Sequence, residues 1–500
     1  MSPTRTATLL LIALAATLVT TTLWRHSYDD AYITYRYAQN YATGNGLVFN
    51  PGERVLGTTA PGWAFALGLA SRFLPLDPAA WGTLLSALAL AWLSLALFRP
   101  SPAFSLLFAA LAFTLPWNLQ LLGAEGFPIV ALAVTAALLA LPPDPDDARP
   151  VAAGVLMAAA MALRLDAALA ATAVGVALWV RGRRLPWRYG VGGLLPLAAW
   201  LALLWAKFGT VLPNTLAGKR SEGGASAGSG IPHWLGYTRA EWSWLHRELP
   251  AAAALWLLAL AAAGAVLLVL ALRRRADLRA RHLPLVAALA AWVVAHEVIY
   301  RAVGVPFAPW YHLPTVAALL ALAAWAAWAA REETRRWLAG RPVLAFAAAA
   351  LLLAPIVVPG AGWLAAHRDR APDARTALYA DVGRHLAAVS RPGDVVAAVE
   401  IGALAYTSDR PVLDLMGLVD PAALEARVNG ELPQHVAWRS PRYLVTAPHF
   451  MQGLLGPVVE ELRPRYRPVA TFSSPRYQGG AVTLWETRTP RVSARPSSPR

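Results

Sequence analysis

Tyr28-Asp-Asp-Ala-Tyr-Ile-Thr-Tyr-Arg-Tyr-Ala38 begins just after the first hydrophobic segment of the chain, residues 7–24, has ended. Two adjacent carboxylates at such a place can remove a proton from a substrate or help to hold a cation. The alternative is that an aspartate caps the following helix, because Asp is a favoured N-cap residue. Capping accounts for one carboxylate, so we favour a catalytic role for the pair Asp29 and Asp30 in a loop at the membrane surface.

The composition around this loop is that of an integral membrane protein. The chain has 500 residues, of which 57% are hydrophobic and 15% are charged, and its mean hydropathy is +0.45. Apolar runs that can cross a hydrocarbon core of about 30 Å recur as far as residue 363. The sequence therefore predicts an α-helical polytopic bundle of about eleven spans. We place them near 7–24, 79–98, 102–117, 125–141, 151–163, 167–181, 189–206, 251–272, 283–303, 312–330 and 342–363.

The basic residues indicate how this bundle is oriented. The net charge of +15 does not indicate nucleic acid here, because arginines cluster between spans near residues 181–188, 273–281 and 331–341. The positive-inside rule places such clusters in the cytoplasm. We therefore predict a multi-pass protein of the inner (plasma) membrane with a cytoplasmic N-terminus. The aspartate loop and the C-terminal region then lie outside.

The composition changes after Trp363, where charges become frequent and short apolar strands alternate with helical stretches. This alternation predicts a small extracytoplasmic α/β domain. Its last two strands are expected to pair as a hairpin across Gln478-Gly-Gly480. We expect a transmembrane domain at 1–364 with a catalytic first outer loop at 25–78, an α/β domain at 365–487 and a disordered basic tail at 488–500. The chain has no cysteine, so disulfides and thiol catalysis are excluded.

Other polar residues on the predicted outer face are candidates for substrate binding. Glu125 opens a span, where a carboxylate meets the positive end of a helix dipole, and its alternative role is to stabilise that first turn. Arg164 and Asp166 either neutralise each other within the membrane or shape the site. The candidates next to the aspartates are Tyr28, Tyr32 and Arg36.

Two further segments carry groups suited to a lipid phosphate. Asn214 and Lys219 lie in a loop whose cations can bind phosphate, although the loop is also interpretable as a solvated juxtamembrane segment. The other segment contains Arg301, Tyr311 and His312, and its alternative is salt-bridged packing within a helix. The sequence leaves the need for a divalent cation open, and we expect no organic cofactor.

These motifs resemble those of GT-C type glycosyltransferases, which take sugars from polyprenyl-phosphate carriers outside the membrane. Within that class the chain is most similar to cell-wall terminal arabinofuranosyltransferases. The resemblance covers nearly the whole chain. It rests on the aspartate motif, Gly46-Leu-Val-Phe-Asn-Pro-Gly-Glu-Arg54, Leu212-Pro-Asn-Thr-Leu-Ala-Gly-Lys219, Trp310-Tyr-His-Leu-Pro314 and Ser408-Asp-Arg-Pro-Val-Leu-Asp-Leu-Met-Gly-Leu-Val-Asp-Pro421.

The resemblance implies a catalytic aspartate in the first outer loop, carried here by Asp29 or Asp30, and a lipid-phosphate donor bound by basic groups on the same face. We therefore expect transfer of a sugar from a polyprenyl-phosphate donor to a glycan or glycolipid acceptor of the cell envelope. A lipid or polysaccharide transporter is the first alternative, and a non-catalytic envelope assembly protein is the second. A transporter requires ionisable groups along a central path, whereas the polar residues here gather at one face.

Overall fold

The membrane part of the chain is a bundle of helices, many of which begin at a proline, the residue best suited to the first helical turn. The computed structural model describes residues 3–97, 102–218, 231–247, 249–274, 276–302, 307–329, 341–368, 374–451, 453–477 and 479–488. Its membrane-part helices are α1 (Pro3–Thr22), α2 (Asp29–Ala42), α3 (Pro61–Phe73), α4 (Pro78–Leu97), α5 (Pro102–Ala112), α6 (Pro116–Gln120), α7 (Gly126–Ala140), α8 (Pro150–Leu163), α9 (Ala168–Gly182), α10 (Trp187–Phe208), α11 (Ile231–Leu245), α12 (Ala251–Arg274), α13 (Ala276–Ala302), α14 (Leu313–Ala329) and α15 (Pro342–Ala366).

The bundle confirms the predicted α-helical polytopic class, but the count of eleven crossings is not confirmed. Among the described residues, six helices are long and apolar enough to cross a membrane, and three shorter apolar helices accompany them. The segment 102–117 shows why a hydrophobic run overstates the count. Its helix α5 has only 11 residues and rises about 16 Å, roughly half of the hydrocarbon core.

The chain turns sharply between α8 and α9. Helix α8 ends at Leu163, Arg164 is extended, and a single 3-10 turn, Leu165–Ala167, leads into α9. Arg164 and Asp166 lie at this turn. Two charged side chains are therefore held close together between the two apolar helices.

The C-terminal part forms a five-stranded sheet with helices, which confirms the predicted α/β domain. The strand order is β2-β1-β3-β5-β4, with β1 parallel to both of its neighbours. Strands β4 and β5 pair antiparallel, as the hairpin prediction required. The elements are α16 (Ala374–Val389), β1 (Val396–Ala398), α17 (Gly402–Ser408), β2 (Val412–Asp414), α18 (Pro421–Val428), α19 (Leu432–Arg439), β3 (Tyr443–Thr446), α20 (Pro448–Met451), α21 (Leu455–Leu462), β4 (Tyr466–Phe472) and β5 (Val482–Thr487).

The segment 25–78, which follows α1, packs against the α/β domain and shares one hydrophobic core with it. Ile33, Tyr37 and Phe49 from this segment lie in the same buried cluster as Val396 and Leu404 from the domain. The amide of Asn50 adds a polar link, because it donates to the carbonyl of Val412 at 2.8 Å and accepts from the Val412 N–H at 2.9 Å. Burial of this shared apolar surface stabilises the contact between the α/β domain and the helical bundle.

Candidate active site

A cleft lies where α2, the start of α7 and the α/β domain meet. Its cavity volume is about 30 Å³. Its lining combines two carboxyl groups and several hydroxyls with aromatic and aliphatic side chains. The lining residues include Asp30, Glu125, Thr34, Thr58, Thr215, Tyr28, Trp310 and Leu418.

The two adjacent aspartates at the start of α2 have different surroundings. Asp29 is buried, and its carboxylate accepts hydrogen bonds from the backbone N–H groups of Gly402 at 3.2 Å and Ala403 at 2.8 Å. These amides begin α17, so Asp29 caps a helix of the α/β domain rather than its own helix. Asp30 lines the cleft instead. Asp29 therefore makes a capping interaction, but with a helix other than the one predicted, and Asp30 is the aspartate of the pair that lines the cleft.

Glu125 shares the cleft with Asp30 and is held by a buried chain of charges. Arg164 donates to the Glu125 carboxylate at 2.8 Å and contacts the Asp166 carboxylate at 2.7 to 3.0 Å. The hydroxyl of Tyr300 donates to Asp166 at 2.6 Å. Buried charges are stable only when paired and hydrogen bonded, so this chain fixes the position of Glu125. Arg164 and Asp166 therefore neutralise each other, as one of the two interpretations of the sequence proposed.

A glycine joins α2 to the loop that carries Glu125. Gly123 has a φ of +99°, and its carbonyl accepts from the Tyr35 hydroxyl at 2.8 Å and from the Trp63 indole at 3.3 Å. A Cβ at position 123 would lie 2.6 Å from the Tyr35 hydroxyl oxygen. Only glycine allows both the left-handed backbone and this close approach.

Aromatic side chains and the α/β domain complete the cleft. The rings of Tyr28 and Trp310 stack with their centroids 4.4 Å apart, an arrangement suited to the apolar face of a ring-shaped ligand. Leu418 enters from the turn after β2. Asp414 shapes that turn by accepting from the N–H groups of Met416 and Val419, both at 2.9 Å. Burial raises the pKa of Asp414 to about 6.

Tyr32 and Arg36 lie at the interface with the α/β domain and are not among the residues that line the cleft. The Tyr32 hydroxyl donates to the carbonyl of Arg25 at 2.9 Å, and its ring packs against Tyr406. Arg36 is buried and pairs with Asp409. Both side chains therefore bind the domain to α2.

The segment that contains Asn214 also borders the cleft, through Thr215. The Asn214 amide donates to the carbonyls of Gly417 at 2.7 Å and Leu418 at 3.2 Å, and the Thr215 hydroxyl donates to the carbonyl of Gly57. Asn214 thus holds the turn that brings Leu418 to the cleft. Lys219 lies outside the described residues, as do residues 489–500 of the predicted tail.

Arg301, Tyr311 and His312 belong to a second polar cluster behind Trp310. Arg301 pairs with Glu241 of α11 and Glu297 of α13, and the ring of Tyr311 packs against Tyr300. His312 Nδ1 lies 2.9 Å from a Glu297 carboxylate oxygen, and its Nε2 lies 3.0 Å from the Tyr237 hydroxyl. The predicted salt bridge within α13 is therefore present between Arg301 and Glu297, and Arg301 also pairs with the carboxylate of Glu241.

This cluster contains a set of groups that can hold a divalent cation. Ligand atoms of Glu241, Glu297 and His312 all lie within 4.8 Å of one another, and a His–carboxylate set suits zinc or manganese. Burial raises the pKa of Glu241, whereas His312 and Arg301 lower it. Because Arg301 is paired with both carboxylates, a cation must compete with it for these ligands.

Several residues of the site carry no signal in the sequence. Thr34 and Thr58 line the cleft with their hydroxyl oxygens 2.8 Å apart, and Leu418 belongs to a domain that begins hundreds of residues later. Their side chains are common in loops, and no spacing distinguishes them. The motif containing Leu418 marks a tight turn, but it does not indicate which surface that turn contacts.

Comparisons with known proteins agree with the fold. Residues 365–489 match the family model of a domain of unknown function, DUF8728. No curated protein matches the sequence. The structure of ArnT from Cupriavidus metallidurans in its apo state is similar over 97% of this chain and 98% of that chain, with a TM-score of 0.61 and 14% identity. The same protein bound to undecaprenyl phosphate covers 98% and 99%, with a TM-score of 0.60 and 14% identity.

A third solved structure is similar over most of the chain. It is the archaeal oligosaccharyltransferase AglB from Archaeoglobus fulgidus, in complex with an inhibitory peptide and a dolichol-phosphate. The likeness covers 95% of this chain and 75% of that chain, with a TM-score of 0.55 and 13% identity. At these identities the likeness concerns the fold alone. The chain is a polytopic helical protein with a GT-C type fold and a small C-terminal sheet domain.

Proposed function

We propose that this protein is a membrane glycosyltransferase that moves a sugar from a polyprenyl-phosphate donor to a hydroxyl acceptor. The observation that carries the proposal is the presence of Asp30 and Glu125 in one cleft at the mouth of a GT-C type bundle. Two solved proteins with this fold were captured with undecaprenyl phosphate or a dolichol-phosphate. These ligands support a lipid-linked donor.

Asp30 is the general base in this mechanism. Its carboxylate accepts the proton of the acceptor hydroxyl while the acceptor oxygen attacks C1 of the sugar and the bond from C1 to the phosphate oxygen breaks. The released polyprenyl phosphate keeps the bonding electrons, and phosphate is stable enough as an anion to leave without a general acid. Glu125, held by Arg164, supplies a second negative charge that stabilises positive charge developing on the sugar ring.

The lipid phosphate needs cations close to the cleft. We assign Lys219 to this role, because Thr215 of the segment that leads to it lines the cleft and a Cβ added at Gly218 would lie 2.9 Å from Leu418. Arg301 and His312 are the second set, behind Trp310. The stacked rings of Tyr28 and Trp310 provide a surface for the sugar or the first isoprene unit.

The resemblance of the motifs points to arabinofuranose as the sugar and to a cell-envelope glycan or glycolipid as the acceptor. The distribution of arginines supports an outward-facing cleft in the plasma membrane. A donor carried by a lipid fits this placement, because a cytosolic sugar nucleotide does not reach the outer face. The acceptor enters from the aqueous side, past the α/β domain.

The test is turnover by the purified full-length protein in lipid nanodiscs, with a panel of synthetic polyprenyl-phosphate sugars that includes the arabinofuranosyl donor. Mass spectrometry identifies the donor that is consumed and the product. Replacing Asp30 by Asn should lower the rate by about 10²- to 10⁴-fold, the usual contribution of a general base. Donor binding should persist, because an amide of the same size occupies the cleft.

Asp147→Asn is the matched control, because this aspartate is exposed in the turn between α7 and α8. It should retain wild-type turnover. Full turnover by Asp30→Asn would overturn the assignment of the base. Movement of labelled lipid across vesicles without any product would instead favour the transporter.

A further inference from the structure

One residue of the α/β domain lines the cleft, and the proposed mechanism gives it no role. Leu418 lies in the turn between β2 and α18 and shares the cleft with Asp30 and Glu125. Among the described residues that line the cleft, all the others come from the membrane part of the chain. The Leu418 side chain carries no polar group, so it acts on a ligand only by occupying space or by apolar contact.

The α/β domain fixes the backbone on both sides of Leu418. The Asp414 carboxylate accepts from the N–H groups of Met416 and Val419, both at 2.9 Å, and so spans the turn. Gly417 has a φ of +77°, and a Cβ at this position would lie 2.5 Å from the Cβ of Leu424 on α18. Only glycine allows both this backbone conformation and this close packing. The turn therefore lies directly against α18.

Two segments of the membrane part hold the same turn from the other side. The Asn214 amide donates to the carbonyls of Gly417 at 2.7 Å and Leu418 at 3.2 Å. A Cβ at Gly57 would lie 3.0 Å from the Leu418 carbonyl oxygen, and a Cβ at Gly218 would lie 2.9 Å from Leu418 Cδ2. The backbone and one methyl group of Leu418 therefore pack closely against both segments, which limits the movement of this side chain.

The cleft is small, so a side chain that cannot move aside limits what it admits. Its cavity volume of about 30 Å³ is roughly the room of two or three water molecules, which need about 10–15 Å³ each. The other lining side chains include contacting pairs. Tyr28 stacks on Trp310, and the hydroxyl oxygens of Thr34 and Thr58 lie 2.8 Å apart. An additional substituent on a ligand must therefore displace one of these pairs or Leu418.

We propose that Leu418 is a specificity-determining residue by which the α/β domain restricts the donor to a small sugar, a pentose. A pentose ring lacks the additional CH₂OH group of a hexose, and in this cleft that group meets the Leu418 side chain. A difference of one methylene in an apolar pocket changes kcat/KM by about 10- to 200-fold. This inference rests on the proposed glycosyl transfer and deepens it by naming the class of sugar and the residue that selects it.

The first experiment compares kcat/KM for a pentosyl and a hexosyl polyprenyl phosphate, with the full-length protein in nanodiscs. The wild type should prefer the pentosyl donor by about tenfold or more. Leu418→Ala shortens the side chain and should raise the ratio of hexosyl to pentosyl kcat/KM by about 10- to 200-fold. Leu418→Val should give an intermediate ratio, and it provides the test if the alanine variant does not fold. A wild-type ratio in both variants would overturn the proposal.

The ratio of the two donors distinguishes a steric role from a general defect. A loosened α/β domain lowers turnover of both donors alike, whereas a wider cleft changes their ratio. Val428→Ala is the matched control, because this valine is an aliphatic residue of the same domain that is 65% exposed on α18. Its ratio should equal that of the wild type. A raised ratio in Val428→Ala would contradict a specific role for Leu418.

Donor binding separates this inference from the proposed function. Dissociation constants are measured for both donors by competition with a fluorescent polyprenyl phosphate, which needs no turnover. The ratio of hexosyl to pentosyl affinity should rise in Leu418→Ala, as the ratio of kcat/KM does. Binding without turnover of any donor would reject the proposed function, while the affinity ratio still decides the role of Leu418. An unchanged affinity ratio in Leu418→Ala would overturn that role, and binding of neither donor by the wild type would reject both.

Discussion

The Asp29 carboxylate should stabilise α17 of the α/β domain, and replacing it should make local opening of α17 more frequent. In Asp29→Asn the side chain keeps one oxygen for the Ala403 N–H at 2.8 Å, but its NH₂ group faces the Gly402 N–H at 3.2 Å. Loss of one hydrogen bond to a charged group costs about 2 kcal/mol. Since about 1.4 kcal/mol corresponds to a factor of ten, protection of the α17 amides should fall by roughly 30-fold.

Hydrogen exchange with mass spectrometry on the full-length protein in nanodiscs measures this change. Peptides that cover 402–408 should exchange faster in Asp29→Asn, whereas peptides from the β4–β5 hairpin at 466–487 should not change. Asp30→Asn is the matched variant, and its α17 peptides should exchange like the wild type because Asp30 lines the cleft. Gly402→Ala should mimic Asp29→Asn, since its methyl group displaces the Asp29 backbone. Equal protection of the α17 amides from exchange in wild type and Asp29→Asn would refute the stabilising role of Asp29.

Two further predictions concern the polar clusters. Arg164→Met should lower the free energy of unfolding by about 3 to 5 kcal/mol, because it leaves the buried carboxylates of Glu125 and Asp166 without their cation. Thermal unfolding in detergent measures this change. The control Arg72→Met, at an exposed site on α3, should have little effect. An unchanged midpoint in Arg164→Met would contradict the importance of the chain of charges. Mn²⁺ added to chelator-treated protein should raise the unfolding midpoint of the wild type but not of His312→Ala, which lacks one of the three ligands. If the wild type does not respond, the two glutamates pair with Arg301 and His312 without holding a cation.

Much of the fold was predictable because it depends on local composition. Segments such as Ala251–Arg274 contain enough consecutive apolar residues to form helices in a membrane. Short apolar strands alternating with helical stretches predicted the α/β domain, and the paired glycines at 479 and 480 marked the hairpin between β4 and β5. Span number was less predictable, because hydropathy does not reveal where a helix such as α5 ends.

The division of labour between Asp29 and Asp30 was not predictable. Neighbouring residues on a helix point about 100° apart, so which one faces the cleft depends on what packs against each face. The partners of Asp29 are 373 and 374 residues away along the chain. No local pattern identifies them, and the same holds for Arg36, whose partner Asp409 belongs to the α/β domain.

The sequence by itself determined that this chain is a helical membrane protein with a polar, carboxylate-bearing loop and a C-terminal α/β domain, because apolar run length and strand period are local properties. The tertiary structure alone decided that Asp30 shares a cleft with Glu125 and that Asp29 caps α17. These relations join residues far apart in the chain. They arise from the packing of the segment 25–78 into the core of the α/β domain, which no segment encodes alone.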